Sequence, residues 1–354
     1  MTKKLKILVM RYRFIGDTVL TVPFLRNLRN AYPDAQIDLM VAPVSGEIID
    51  KCPYVDNFIY YDTTKKHRYE NKDGVQKKDF FSYVKMLRKE KYDKAYVLKR
   101  SLSSAFLAFA AGIKERIGFN TEGRGLLLTK RVPYVQERHE IDCFLDVLKA
   151  DGVEVKDNYL ENWVTEEETD FVKKVMREKG TNFNLPVVII HATSGNRKKE
   201  WAKENWAQII TWLSNEKNVQ VVFNGAKNDS QTYEEIMSLV KEPLKTEPIN
   251  FCGCFNLRQT LAFTKQCSLI AGCDSGNLHI AASAGIPVIG IYGPMSTTKW
   301  CAHCKDAVIL KTDLPCQPCG LKKKCKRNYQ CIKDISIEQV QEEIQPFIKA
   351  ESQI

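Results

Sequence analysis

No stretch of this sequence approaches the ~18 unbroken apolar residues needed to cross a bilayer. The apolar run from His279 to Gly293 is interrupted by Ser283, Gly285, Pro287 and Gly290, so a membrane-spanning chain is not expected. The segment Met1 to Met10 imitates a signal peptide, but Lys6 and Arg11 cut its apolar part short and no small-residue cleavage site follows. It reads as a buried first strand of a cytoplasmic protein. Two phosphate-binding signatures are also missing: neither Gly-x-x-x-x-Gly-Lys-Ser/Thr nor Gly-x-Gly-x-x-Gly occurs, which argues against an ATPase and against a dinucleotide oxidoreductase. Internal repeats and low-complexity tracts are absent. So is the aromatic interleaving on a basic face that a nucleic-acid binder needs, and no nucleic-acid partner is expected.

What is present is an ordinary globular composition, 44% hydrophobic and 27% charged, in 354 residues, enough for two domains. The net charge of +10 suggests an anionic partner. It is patchy: residues 62–100 hold thirteen Lys/Arg against six Asp/Glu, and residues 311–333 hold seven against one. Such patches are either solvated surface or a basic approach to an anionic acceptor. Twelve cysteines in so long a chain point to reduced thiols or a metal site rather than to a small disulfide framework.

Short β-rich runs alternate with helix-length amphipathic ones: Ile7 to Met10, Thr18 to Ala31, Ile37 to Ala42. This is the grammar of βαβ units and a parallel, doubly wound sheet. It resumes with Pro186 to His191, Trp206 to Asn215, Val219 to Phe223, Thr232 to Lys241 and Ser268 to Ala271. The polar linker Gly180 to Asn184 puts the expected boundary near residue 180, giving α/β domains at 1–180 and 181–335. The tail 336–354, with Ile337, Val340, Ile344 and Phe347 at helical spacing, reads as an amphipathic helix.

Three segments carry candidate chemistry. In Arg11 to Pro23, Gly16 permits a tight turn after the first strand. Asp17 then stands where ligands bind in open parallel sheets, or is merely a helix N-cap. His191 to Trp201 follows the first strand of the second unit, and its Thr193, Ser194 and Lys199 can hold phosphate oxygens, although Lys198 and Lys199 also suit a solvated loop. Ala271 to Pro294 runs from a strand into Asp274-Ser275-Gly276 and a small-residue helix, whose free amides and dipole make an anion site. His279 lies near the same helix face as Ser275, as part of the core, a cap or the site.

These segments together resemble glycosyltransferase family 9, the heptosyltransferases of the lipopolysaccharide inner core. The resemblance rests on Gly16-Asp17, the His191-to-Trp201 loop with Lys199 two before Trp201, Asp274-Ser275-Gly276-x-x-His279, and Tyr292-Gly293-Pro294. It implies a GT-B fold, two Rossmann-like units facing a cleft, with the acceptor on the first and an ADP-heptose donor on the second. It further implies inverting transfer to an anionic lipid A-core acceptor, with contact at the cytoplasmic face of the inner membrane. In it Asp17 is the general base and Lys199 the diphosphate clamp. Thr193, Ser194, Ser275 and Gly276 are further phosphate contacts, and Asp274 accepts from a sugar hydroxyl. His279 supports the helix or touches phosphate, Asp229 holds ribose hydroxyls, and Phe255 neighbours the base or packs as a core aromatic. No cofactor is required for the reaction. The tail is expected to pack back on the first unit, as in other GT-B proteins. A noncatalytic nucleotide-sugar binder and a GT-B transferase with another donor or a protein acceptor are the competing readings.

Six cysteines crowd residues 301–331. Cys316, Cys319, Cys325 and Cys331 supply enough thiolates for a structural tetrahedral zinc or iron. Some relatives bind iron through four cysteines at other spacings, and disulfides or free thiols are the alternatives. Cys273, with no base partner in view, is expected to pack rather than react.

Overall fold

The computed structural model describes residues 4–62 and 79–348, and much of the lysine-rich stretch 62–100 (residues 63–78) and the end of the tail (349–354) lie outside them. The chain divides into two units, Met1–Tyr159 and Leu160–Ile354.

The first unit is a six-stranded parallel sheet: β1 (Lys6–Met10), β2 (Gln36–Val41), β3 (Asn57–Tyr60), β4 (Lys94–Val97), β5 (Glu115–Phe119) and β6 (Lys130–Val132), in the order β3-β2-β1-β4-β5-β6. The second repeats the plan with β7 (Val187–His191), β8 (Gln220–Phe223), β9 (Ile249–Asn250), β10 (Leu269–Cys273), β11 (Val288–Ile291) and β12 (Ala307–Leu310), ordered β12-β11-β10-β7-β8-β9. Counted from its own first strand, each sheet has the 3-2-1-4-5-6 order of the Rossmann fold. The expected α/β, doubly wound architecture is therefore found twice. Central strands such as β7, Val-Val-Ile-Ile-His, are wholly buried because helices cover both faces of a parallel sheet.

The predicted helix from Thr18 to Ala31 is two helices, Ile15–Val19 and Val22–Ala31, with Pro23 in the first turn of the second. Proline has no N–H to continue the first helix but suits the start of a new one.

The division falls after Tyr159, about one helix earlier than residue 180. The helix Glu166–Glu178, started by a capping box between Thr165 and Glu168, buries Val172 and Met176. Its Glu168 carboxylate also accepts two hydrogen bonds from Arg258, at 2.8 and 2.7 Å, on the second unit's helix Leu257–Thr264. The helix thus belongs with the second unit.

The tail helix Ile337–Ile344 also differs from expectation. Val340, Ile344 and Ile348 are buried in the second unit's own core with Trp206, Leu213 and Ile289, and the Trp201 indole donates to the Ile335 carbonyl at 3.0 Å. Its apolar face is satisfied there, where the sequence reading had it returning to the first unit.

Candidate active site

In a sheet of this order, ligands bind beyond the carboxyl ends of the strands where the order reverses: between β1 and β4 in the first unit, and between β7 and β10 in the second. The candidate residues collect at these two places.

After β1 the chain enters the helix Ile15–Val19 through Phe14, which has φ 62° and ψ 138° and is exposed. The unusual dihedral falls on Phe14 rather than on Gly16, which lies buried inside the helix and lacks a positive φ. Gly16 thus contributes small size, not the turn expected of it. Asp17 is not the N-cap either: Phe14 occupies that position, and the Asp17 carboxylate meets Arg11 at 2.5 Å. Both side chains are buried. Burial raises the Asp17 carboxyl above the usual carboxylate range; the Arg11 guanidinium opposes that, the Glu140 charge adds to it and Lys99 opposes it.

The end of β4 brings two cations that the sequence reading did not single out. Burial, with the neighbouring Arg11 and Arg13 charges, pushes Lys99 down to about 8. Arg100 lies 3.8 Å from the Tyr134 ring centroid and 3.7 Å from the Glu140 carboxylate, which also accepts from the Tyr134 hydroxyl at 2.6 Å. Beyond β5, Arg124 is 1% exposed and all three of its guanidinium nitrogens are buried without a hydrogen-bond partner. A buried, unpaired cation is costly. The group therefore sets five cations, Arg11, Arg13, Lys99, Arg100 and Arg124, against the carboxylates of Asp17, Glu140 and the Glu122 that faces Arg124. It suits an anionic ligand that presents a hydroxyl to Asp17. The rule that drew attention to Asp17, a polar residue just beyond a central strand, would also have found Lys99 and Arg100.

In the second unit, Gly272 of β10 lies opposite His191 of β7, and a Cβ there would come within 2.8 Å of the His191 carbonyl oxygen, so the two strand ends approach as only glycine allows. The Ser194 hydroxyl donates to the Asp274 carbonyl at 2.8 Å, while its N–H donates to the Glu200 carboxylate at 3.0 Å. The Lys199 ammonium reaches the same Asp274 carbonyl at 2.9 Å and its carboxylate at 3.2 Å. Lys199 is thus no solvated loop residue, since it is held against the start of the helix Gly276–Ala284. Ser275 caps that helix in position only: its side chain makes no cap bond, and its hydroxyl is buried and unpartnered. Gly276 is the first helical residue, His279 is buried in the next turn and Thr193 is half-buried in the loop after β7.

Two further asparagines frame His191. Its ring pairs with the Asn224 carbonyl at 3.2 Å and with the Asn277 amide at 3.1 Å, and burial lowers its pKa, favouring the neutral ring. Asp229 lies after β8, where its carboxylate accepts from the Ala226 N–H at 2.8 Å and packs on Gly225. Phe255 is half-buried in a trio with Phe251 and Phe263, its ring 5.6 Å from Phe251 and nearly parallel to it. Cys273 packs as expected: burial raises its thiol to about 12, and the sulfur accepts from the Trp201 N–H at 3.3 Å.

None of the twelve cysteines is joined in a disulfide. Cys316, Cys319, Cys325 and Cys331 do line one small cavity of about 20 Å³, with Arg327 and Tyr329. Cys325 accepts from the Tyr329 N–H at 3.3 Å, and that bond with the Arg327 amide lowers its thiol. Burial and the three other thiols raise Cys331 to about 11. Among the described residues, however, no three His, Cys, Asp or Glu side chains are disposed to hold a metal ion.

Two Rossmann-like units, one with a buried carboxylate among cations and one with a lysine-assisted helix start, have the architecture of the GT-B class. The family model described as glycosyltransferase family 9 (heptosyltransferase) matches residues 80–330, and the chain belongs to that family. The matched residues include Lys199, Asp274 and His279 but not Asp17. The chain is 28% identical over 301 residues to lipooligosaccharide heptosyltransferase 2 of Haemophilus influenzae, covering 82% of this chain and 84% of that protein. Its fold is similar to that of E. coli ADP-heptose LPS heptosyltransferase II, with TM-score 0.78 and 22% identity over 97% of this chain and 98% of that one. It is also similar to a family 9 glycosyltransferase of Veillonella parvula, with TM-score 0.83 and 21% identity over 98% of each chain.

Proposed function

We propose that the chain transfers heptose from ADP-L-glycero-D-manno-heptose to a hydroxyl of the lipopolysaccharide inner core, with inversion, at the cytoplasmic face of the inner membrane. The observation that carries this reading is Asp17. Burial makes it more basic than an ordinary carboxylate, while the Arg11 guanidinium opposes that rise and orients the carboxyl group. A carboxylate so tuned can take the proton of an acceptor hydroxyl as its oxygen attacks the anomeric carbon. The surplus of cations around it supports an acceptor bearing carboxylate or phosphate, with Arg124 as the group most in need of one.

On the donor side, the leaving ADP develops negative charge on its diphosphate. Lys199, the unpartnered Ser275 hydroxyl and the free amides at Gly276 can stabilise it. Asp274 holds Lys199 and borders the heptose hydroxyls, Thr193 and Ser194 line the phosphate loop, and His279 braces the helix. Asp229 borders the ribose and Phe255 the adenine. The reaction as written requires no cofactor, and a metal at the cysteines would be structural.

The test is incubation of purified protein with ADP-heptose and a delipidated inner-core saccharide, with the anomeric configuration of the product read by NMR. An inverted heptoside is expected. Retained configuration would remove Asp17 as sole base, and binding of UDP, GDP or CDP in preference to ADP would sink the donor.

A further inference from the structure

The helix Leu102–Ala110, Leu-Ser-Ser-Ala-Phe-Leu-Ala-Phe-Ala, contains no charged residue. A helix apolar on every side is ordinarily surrounded by protein or lipid. Only one side of this one is covered: Ala105, Leu107 and Ala108 are buried, whereas Leu102, Phe106 and Phe109 are 52%, 44% and 49% exposed. Two neighbours extend the apolar face. Phe80, on the adjoining helix Phe80–Glu90, stacks on Phe106 at 5.7 Å and meets Phe81 at 5.8 Å, and Phe81 is 77% exposed. On the other side, the turn Arg124–Leu127 packs beside the helix and carries Leu126, 84% exposed. Single exposed apolar residues are common, but a contiguous group of large ones marks an interaction surface.

The rim of this surface is cationic. Lys85, Arg88 and Lys89 follow Phe81 along the exposed stripe of their helix. Arg88 donates to the Ala110 carbonyl at 2.8 Å, and the Arg116 guanidinium lies 5.3 Å from the Phe109 ring centroid. Of the described acids near this face, Asp79 caps its own helix at Ser82, Glu90 pairs with Lys6 and Glu115 with Lys94, and Glu122 stands exposed before the turn.

Protruding rings and leucines inside a ring of Lys and Arg match the chemistry of an anionic bilayer surface. Apolar side chains can enter the headgroup boundary while the cations meet lipid phosphates. We propose that this face of the first unit docks on anionic phospholipid membrane. The inference deepens the reading of a lipid-anchored acceptor, and rests on it, by assigning the surface that brings the enzyme to that acceptor.

The experiment is co-sedimentation of the full chain with vesicles of phosphatidylethanolamine and phosphatidylglycerol, beside vesicles of phosphatidylcholine alone. The parent protein should sediment with the anionic vesicles and much less with the neutral ones. The triple variant Phe81→Ser, Phe106→Ser, Leu126→Ser should lose at least about tenfold in vesicle affinity. Lys85→Glu with Lys89→Glu should lose the preference for anionic lipid. Both variants should keep the parent's melting temperature and its turnover of a delipidated acceptor. A parent protein that ignores anionic vesicles, or a triple variant that binds them equally, overturns the proposal. So does a parent that dimerises while the triple variant stays monomeric, because the face would then be a self-association surface. Failure to use the delipidated acceptor would instead count against the transferase reading and leave the vesicle result standing.

Discussion

Replacing Asp17 by Asn keeps the shape of the side chain and removes its capacity to take a proton. General-base transfer contributes typically 10²–10⁴ in rate, about 3–5 kcal/mol of barrier, so kcat should fall by about that factor. ADP-heptose affinity should not change, because Lys199, Ser275 and Asp274 belong to the other unit. The rate is read as ADP released at saturating donor and the affinity by calorimetry. A companion substitution links the loss to the carboxylate itself. Burial raises the Asp17 carboxyl and the Arg11 guanidinium, 2.5 Å away, opposes that. Only the ionised form accepts a proton, so activity is lost as pH falls through the raised pKa. Arg11→Gln leaves burial and the Glu140 charge unopposed on that side, and the acid limb of kcat/KM must move to higher pH, with the plateau rate less affected. An Asp17→Asn enzyme within about tenfold of the parent, or an acid limb that ignores Arg11→Gln, would refute the assignment of Asp17 as base.

Lys199→Ala removes an ammonium 3.2 Å from the Asp274 carboxylate and leaves that buried charge facing the diphosphate. ADP should bind about 10- to 100-fold more weakly by calorimetry, the worth of one charged hydrogen bond, and unchanged affinity would take Lys199 out of the donor site. Arg124→Met replaces an unpaired buried cation by an apolar chain of similar length. The protein should unfold at equal or higher urea concentration while the acceptor KM rises, whereas a lower midpoint would mean that Arg124 serves the fold. Ile344→Ala, in the core of the second unit, should cost about 2–5 kcal/mol in chemical denaturation. A negligible cost would contradict the packing of the tail helix.

The strands and the two sheets were legible because a parallel sheet covered on both faces writes itself as short apolar runs, and Ile7 to Met10 and Val187 to His191 are such runs. That Lys199, Asp274 and Ser275 lie together at the strand ends was legible for a related reason. Strand-to-helix turns fix backbone and side chain locally, so residue type and order nearly determine position. The two helix placements went astray for one physical reason: an amphipathic helix states that it has a buried face but not against what. Glu166–Glu178 went to the second unit through Glu168 and Arg258, ninety positions apart, and Ile337–Ile344 stayed in that unit beside Trp206. Gly16 failed differently, since the strained dihedral passed to Phe14.

The electrostatics of the site were the least legible part, and they decide what it can do. Lys99 and Arg100 follow the end of β4 and Arg124 sits in a turn, and although strand-end position points to the first two, nothing in the local sequence shows that they are drawn into one charged group. Burial makes the difference. A lysine held near 8 and an arginine whose guanidinium has no hydrogen-bond partner are what results when cations outnumber the carboxylates among them and most are withdrawn from water. In the second unit the lysine is already answered by Asp274, so a diphosphate bound there as proposed would share it. The first unit thus gathers an excess of positive charge, whereas the second pairs its cation with Asp274. That asymmetry supports an acidic acceptor on the first and an exchangeable nucleotide on the second.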